Sequence, residues 1–384
     1  MQIRQTCFDQ LPTPDGLTAL TALSPQLVWV FGSVGLLTQP GLVPLLRAAF
    51  PAAELAGCTT AGEIGDGGVT DERLVVTAVQ FDHPGLRVAR TDIQGMADSA
   101  AAGARLAEQL VAPGLHDVFV LCQGVDVNGS ALIEGFERVL PEGVRLSGGL
   151  AGDGGAFSRT FTLSREGVSD RQIVAIGFTD PHLKLRHASF HGWQPFGPAR
   201  KVTRSVGNVL YELDGAPALD IYKTYLGEYA KDLPGSALLF PFEMLGQDHG
   251  AVGLIRTILG VDEALGSLTL AGDIVEQGYL KLMHATTDSL VDGAHEAATA
   301  IGLDAAGQSA GGLALLVSCV GRKLVMGARV DEEVEAVAEV FGRHTHVAGF
   351  YSNGEISPVL KGGVQCHLHN QTMTVTHLCE QSHP

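Results

Sequence analysis

One eight-residue pattern occurs twice in the chain, near opposite ends. The octapeptide at residues 57–64, Gly-Cys-Thr-Thr-Ala-Gly-Glu-Ile, returns at residues 349–356 as Gly-Phe-Tyr-Ser-Asn-Gly-Glu-Ile. Each copy follows a short apolar stretch and leads through glycine-rich residues to a Gly-Gly-Val triplet. A period this long excludes a solenoid or a propeller. The pattern therefore predicts an internal duplication, with two related halves and a ligand in the cleft between them.

Short segments rich in Val, Ile, Leu and Phe alternate with amphipathic segments, which predicts strands alternating with helices. The predicted strands are 26–31, 73–80, 86–91, 117–122, 172–178 and 183–190, then 251–258, 267–270, 313–319, 346–351 and 371–377. The predicted helices are 97–111, 131–140, 289–301 and 332–341, the last capped by Asp331 and ended by Gly342. Continuous apolar runs such as 314–317 suit strands covered on both faces. We therefore expect an α/β fold with a mixed β-sheet flanked by helices in each half.

Composition and charge narrow the class of protein. A chain of 384 residues with 45% apolar residues can bury a large core, and its length suggests two domains. The formal net charge of -17 repels phosphate backbones and anionic lipids, which argues against nucleic acid and membranes as partners. The N-terminal residues lack a signal-peptide pattern, and the six cysteines form no C-x-x-C pair. We expect a cytoplasmic protein with reduced thiols.

Several motifs resemble, in order, those of the FIST proteins, a family of bacterial intracellular sensors. The motifs are 57–64, 148–153 (Gly-Gly-Leu-Ala-Gly-Asp), 191–195 (His-Gly-Trp-Gln-Pro), 207–215, 217–219, 318–322 (Ser-Cys-Val-Gly-Arg) and 366–374. The resemblance implies a FIST N-terminal domain over residues 25–205 and a FIST C-terminal domain over 206–384, with the boundary after the segment 196–199. It also implies a cytoplasmic sensor that binds a small ligand and signals to a histidine kinase, a cyclic-di-GMP enzyme or chemotaxis proteins. A homo-oligomer is left open.

Some family members bind haem and sense nitric oxide, and the resemblance makes non-covalent haem the leading ligand. Haem iron needs an axial ligand and an apolar slot. The candidates for the cofactor site are His191 and His369 as iron ligands, Trp193 as a wall of the slot and Arg322 for a propionate. The alternative is that each histidine is a hydrogen-bonded core or surface residue. A zinc site at residues 366–369 with His377 and Cys379 is a weaker alternative, because the spacing matches no known finger or ribbon.

An amino-acid-like metabolite is the alternative ligand. The candidate ligand-binding residues are Cys58, Thr60, Glu63, Tyr351, Ser352, Glu355 and Asn370. The two glutamates could bind an ammonium group, or they could hold their own loops through the hydroxyl three residues earlier. Arg322 is suited to a carboxylate because its planar fork matches two oxygens, unless it forms a salt bridge to Glu63 or Asp273.

Catalysis is not expected from the motifs. The segment 57–60 resembles a nucleophile elbow, so a thiol-dependent hydrolase or transferase using Cys58 is the alternative outside the sensor class. The chain has no G-x-S-x-G, no phosphate-binding loop, and no histidine that can be assigned as a base. We therefore predict that the chain is not an enzyme.

Overall fold

The computed structural model describes residues 1–83, 85–303, 311–358 and 365–380. The strands of the first part are β1 (Gln2–Phe8), β2 (Leu27–Gly32), β3 (Glu54–Thr59), β4 (Glu63–Gly65), β5 (Gly68–Thr70), β6 (Leu74–Gln80), β7 (Leu86–Asp92), β8 (Asp117–Cys122), β9 (Arg145–Leu150), β10 (Thr162–Ser164), β11 (Val168–Ser169), β12 (Gln172–Phe178) and β13 (Leu183–Phe190). The later strands are β14 (Gln194–Val206), β15 (Val209–Leu213), β16 (Ala216–Pro217), β17 (Phe242–Leu245), β18 (Ala251–Arg256), β19 (Ile258–Asp262), β20 (Ser267–Leu270), β21 (Tyr279–His284), β22 (Gly312–Cys319), β23 (Thr345–Ser352), β24 (Gly354–Pro358), β25 (Cys366–His369) and β26 (Met373–Glu380).

The helices lie between the strands, as the alternating pattern predicts. They are α1 (Thr18–Thr21), α2 (Val34–Leu37), α3 (Leu42–Ala49), α4 (Ser99–Leu110), α5 (Gly129–Glu137), α6 (Ala218–Leu226), α7 (Thr287–Ala300), α8 (Val320–Met326) and α9 (Asp331–Phe341). Short 3-10 turns occur at Asp15–Leu17, Met96–Asp98, Gly227–Asp232, Gly235–Leu239 and Gly327–Arg329. In the part of the chain described, no helix combines the length and the apolar character needed to cross a membrane.

Three six-stranded sheets share one layout. Their strand orders are β1-β6-β2-β3-β10-β11, β7-β12-β8-β9-β24-β25 and β13-β26-β22-β23-β4-β5. In each, the third and fourth strands form a parallel pair: β2 with β3, β8 with β9, and β22 with β23. The chain thus contains three equivalent units, built from β1–β6, from β7–β12, and from β13 with β22–β26. Together they form what we call the core body.

Each unit gives a strand to the sheet of another unit. After β3 the chain crosses over as β4, which pairs with β23; after β23 it crosses as β24, which pairs with β9; after β9 it crosses as β10, which pairs with β3. The exchange therefore closes a ring of three units.

The two octapeptides occupy equivalent places in this ring, which confirms the duplication. In both copies the motif begins in the second parallel strand and ends in the exchanged strand. The first glycine is fixed by close backbone approach: a Cβ at Gly57 would lie 1.9 Å from the carbonyl oxygen of Val30, and one at Gly349 would lie 1.9 Å from that of Leu316. Gly148 has the same contact, 2.0 Å from the carbonyl oxygen of Val120, so the structure adds a third copy to the two predicted.

The centre of the core body is an apolar cluster to which all three units contribute. Trp29 of the first unit meets Phe119 of the second edge-on, with ring centroids 5.2 Å apart. Phe31 of the first unit meets Phe350 of the third at 5.0 Å. All four rings are at most 1% exposed, and burial of each contributes roughly 1.5–3 kcal/mol. The cluster therefore holds the three sheets together.

A second body is inserted into the third unit between β13 and β22. Its sheet has the order β18-β17-β21-β14-β15-β20-β19, with β16 beside β15, and α6 packs on it. We call this sheet with α6 and Gly235–Leu239 the outer body. The segment 196–199, expected at a boundary, lies inside β14.

Most predicted elements are present, with small shifts at their ends. The strands predicted at 117–122, 172–178, 183–190 and 267–270 have the predicted bounds. Gly342 ends α9 with a φ of +73°, as expected. The prediction that Asp331 caps this helix was wrong, because its carboxylate accepts a hydrogen bond from the Val69 amide at 2.7 Å instead.

Candidate functional site

The candidate site is a cleft between the core body and the outer body. Its floor lies at the carboxyl ends of the parallel pair β8 and β9, the position where open α/β sheets usually bind ligands. Two adjoining cavities, of about 320 Å³ and about 130 Å³, share Gly124, Val125 and Leu259. We call the larger the apolar chamber and the smaller the polar chamber. The larger volume is in the range of small-molecule pockets.

The polar chamber is lined by two asparagines with unpaired oxygens. Asn370 is 2% exposed, and its Oδ1 has no hydrogen-bond partner among the described residues. The same holds for Oδ1 of Asn353. The orientation of Asn353 is fixed, because its Nδ2 donates to the carbonyl oxygen of Gly124 at 3.3 Å. Buried polar atoms in proteins are nearly always paired, so these two acceptors mark a place for donors from a ligand.

A buried cation lies directly behind the polar chamber. The Arg256 guanidinium is 4% exposed and donates to the carbonyl oxygens of Asp273 at 3.2 Å and Leu368 at 3.0 Å, two residues that line the chamber. Within the described ranges no carboxylate forms an ion pair with it. Burial therefore lowers the pKa of Arg256 to about 10. Its field favours negative charge in the chamber, where the Asp273 carboxylate lies within its electrostatic reach.

The apolar chamber has no polar side chain in its lining. Besides the shared residues it is lined by Gly155, Phe157, Pro234, Gly235, Leu238 and Ile258. Leu259 is 47% exposed and Val125 is 37% exposed, and Met96 at the edge of the polar chamber is 52% exposed. Three exposed large apolar side chains thus line the cleft.

The second octapeptide forms a buried network beside the cleft. Glu355 accepts hydrogen bonds from the hydroxyls of Ser352 at 2.7 Å and Thr372 at 2.9 Å, and from the Thr372 amide at 3.2 Å. Complete burial raises the pKa of Glu355 to about 7. Ser352 and Glu355 therefore brace the turn that carries Asn353.

The first octapeptide repeats this network elsewhere. Glu63 accepts from the Thr60 hydroxyl at 2.6 Å and the Arg73 amide at 3.1 Å, and burial raises its pKa. Thr60 and Glu63 line a separate cavity of about 710 Å³, with Asp71 and Asp153 among the other lining residues. The predicted ligand residues of the two copies are therefore not brought together in one site.

Arg322 has a partner within the core body. Its guanidinium is 0% exposed, and it donates to Oε2 of Glu333 through Nε at 3.0 Å and Nη2 at 2.7 Å. It also donates to the carbonyl oxygens of Leu290 and His191. The hydroxyl of Tyr351 donates to the same Glu333. The predicted salt bridge to Glu63 or Asp273 was wrong, and Arg256 is the arginine beside the cleft.

The residues predicted for haem are close together but do not fit the group. Nε2 of His369 is 3.0 Å from the carbonyl oxygen of Ser357, and Nδ1 of His191 accepts from the Trp193 amide at 2.9 Å. Burial lowers the pKa of both histidines to about 4. The Trp193 indole donates to the Gln371 carbonyl. Neither histidine lines the cleft or the cavity beside Glu63, so no axial nitrogen faces an apolar slot.

The remaining predicted chemistry has little geometric support. Across the described ranges, no group of three or more His, Cys, Asp or Glu residues could hold a metal ion. Cys58 is 0% exposed in the central apolar cluster, and burial raises the pKa of its thiol well above the ordinary value. A protonated thiol without access to solvent is not an activated nucleophile.

Sequence reasoning missed three residues of the cleft: Asn353, Arg256 and Leu259. Asn353 stands at a variable position of the octapeptide, where the other copy has Ala61. In the third unit Gln371 lies against Gly321, just after β22, and its Nε2 donates to the Leu238 carbonyl at 3.0 Å. No sequence signal identifies the end of β8 and β9 as the open site.

Comparisons with known proteins match most of the chain to one family. The sequence profile of the FIST N domain matches residues 26–216, and that of the FIST C domain matches residues 218–358. An uncharacterized protein of Methanocaldococcus jannaschii is 34% identical over 88 residues, which are 23% of this chain and 17% of the relative. This chain thus corresponds to a small part of that protein.

One solved structure corrects an expectation. A cyanuric acid hydrolase from A. caulinodans aligns over 99% of both chains, with 12% identity and a TM-score of 0.36. The prediction that this chain is not an enzyme was therefore wrong, because the hydrolase that aligns with nearly all of this chain is an enzyme. A likeness this weak assigns no activity.

Proposed function

Because the chain belongs to the FIST family, whose domains are sensory domains of signal-transduction proteins that bind small ligands, we propose that it is a cytoplasmic sensor with its ligand in the cleft. The observation that carries this proposal is the pair of unpaired amide oxygens, of Asn353 and Asn370, in the polar chamber of the cleft. An unpaired buried acceptor costs about 1–3 kcal/mol, which a ligand donor would recover.

The ligand that fits this chemistry is an amino-acid-like metabolite. An ammonium group supplies the N–H donors that Asn353 and Asn370 need, and it has no acceptor that would repel their oxygens. The carboxylate of the same molecule is attracted by the Arg256 guanidinium behind Leu368 and Asp273. The zwitterion therefore matches both features of the polar chamber.

Haem with nitric oxide is the version implied by the family resemblance, and the arrangement of His191 and His369 gives it no support. Haem reconstitution followed by an absorbance spectrum tests it directly. A Soret band that disappears in both His191→Ala and His369→Ala would favour haem over the metabolite.

Signalling follows from the position of the cleft. A ligand that contacts Asn353 of the core body and Leu259 of the outer body binds best when the two bodies are close together. It would therefore shift the population toward a closed arrangement, by no more than its difference in affinity for the two arrangements. A histidine kinase or a cyclic-di-GMP enzyme that contacts both bodies could read this change.

The experiment is a thermal-shift screen of the L-amino acids, followed by calorimetric titration of those that stabilise the protein. Asn353→Ala should abolish the stabilisation. Glu63→Gln is the matched control, because it changes the other octapeptide and lies outside the cleft. Loss of binding in Glu63→Gln with binding retained in Asn353→Ala would move the site to the cavity beside Glu63.

A further inference from the structure

The two chambers of the cleft differ in their polar side chains although they share three lining residues. Every residue that lines the apolar chamber is glycine, proline, valine, leucine, isoleucine or phenylalanine. The polar chamber adds four asparagines and one carboxylate to apolar and glycine residues, with Arg256 behind it: Asn128, Asn208, Asn353, Asn370 and Asp273. Because Gly124, Val125 and Leu259 line both chambers, the two chambers lie side by side in the cleft.

The size of the polar chamber limits what enters it. Its volume of about 130 Å³ is roughly four times the 30 Å³ that one water takes in the liquid. Only a small group fits there, and a longer ligand has to extend beyond it. The apolar chamber, at about 320 Å³, is the adjoining space.

The exposure of apolar side chains points the same way. Leu259, Val125 and Met96 are 47%, 37% and 52% exposed, and all three line the cleft. Covering such surface with an apolar group is favourable, whereas leaving it in water gains nothing.

We propose, on the basis of the proposed function, that the ligand is amphipathic: a small head with N–H donors occupies the polar chamber and an unbranched or aromatic tail occupies the apolar chamber. The ligand class is thus a small molecule with an amino-acid head and an apolar side chain of several carbons. Selectivity among ligands with this head is set by Phe157, Leu238 and Leu259.

The test is a series with one head and a growing tail: L-alanine, L-norvaline, L-norleucine and L-2-aminooctanoate, titrated into the full chain by calorimetry. Each added methylene that is buried should tighten binding about fourfold until the chamber is filled. Leu259→Asp places a charge in the lining of the apolar chamber and should remove this dependence on tail length. Leu265→Asp is the matched control, since Leu265 is 60% exposed and lies outside both chambers.

The outcomes separate the two proposals. Alanine binding that depends on Asn353, with an affinity independent of tail length, would overturn the amphipathic ligand and leave the proposed function standing. A tail dependence that survives Leu259→Asp would also overturn it, because the tail would then lie elsewhere. Failure of the whole series to bind would overturn both for this head group. The proposal is supported if the affinity rises with tail length in the wild type and in Leu265→Asp but not in Leu259→Asp.

Discussion

Replacing Asn370 by leucine should make the ligand-free protein more stable. It should also reduce the stabilisation that the ligand gives to the fold. The side chain is 2% exposed and its Oδ1 is unpaired, so the folded state carries a desolvation cost that leucine, of similar shape, does not. We expect the free energy of unfolding without ligand to rise by about 1 kcal/mol. At a ligand concentration of 100 times the wild-type Kd, wild type gains about 2.7 kcal/mol.

The loss in the variant can be worked out from the same contact. A hydrogen bond to a charged group contributes about 1.5–3 kcal/mol, which raises Kd roughly 10- to 150-fold. The stabilisation by ligand in Asn370→Leu should then fall to between about 0.3 and 1.3 kcal/mol. Urea unfolding with and without norleucine measures both quantities. Ser147→Ala is the control, because the Ser147 hydroxyl is also a buried oxygen without a partner among the described residues, and it lies outside the cleft. An Asn370→Leu protein that is less stable, or that keeps the full ligand effect, would refute the reasoning.

Three further outcomes are expected. Burial raises the pKa of Glu355 to about 7 from 4.5. The contribution of Glu355 to stability is therefore full below about pH 4.5 and is lost as the pH rises through 7. Glu355→Gln should remove about 3 kcal/mol of this pH dependence, as measured by urea unfolding at pH 4.5 and at pH 8. Arg322→Met should destabilise the fold by about 3–5 kcal/mol, because Glu333 is left as an unpaired buried charge. Adding Glu333→Gln should restore part of this loss in urea unfolding. An Arg322→Met protein as stable as wild type would contradict this. Iodoacetamide should label the exposed Cys7 well before Cys58 in native protein, as seen by mass spectrometry, and the reverse order would contradict the buried position of Cys58.

The sequence predicted the repeat better than it predicted the site. Gly57 and Gly349 are visible because the close approach of a neighbouring carbonyl admits no Cβ, and the following Glu is needed to brace the turn. The third copy escaped detection because Gly148 is the one residue of that copy that matches the octapeptide pattern. In its exchanged strand Thr162, paired with Cys58, takes the place of the glutamate.

The cleft could not be predicted for a different reason. Its walls come from residues far apart in the chain, such as Gly124, Leu259 and Asn353, which meet only after the outer body docks on the second unit. Arg256 looked like an ordinary strand residue, because the absence of a carboxylate partner is a property of the folded structure. Arg322 drew attention by its apolar neighbours, and Glu333 on α9 provides its charge partner.

The exchange of strands among the three units has a consequence for how the protein is made. β4 is synthesised early, but its partner β23 is near the other end of the chain, with Ile64 opposite Gly349. Until the third unit emerges, β4 therefore pairs only with β5, and its other edge has no partner. Contacts of such large sequence separation slow folding and leave strand edges open to aggregation. We expect the nascent first unit to depend on chaperones, and a chain interrupted before β23 to yield no stably folded fragment.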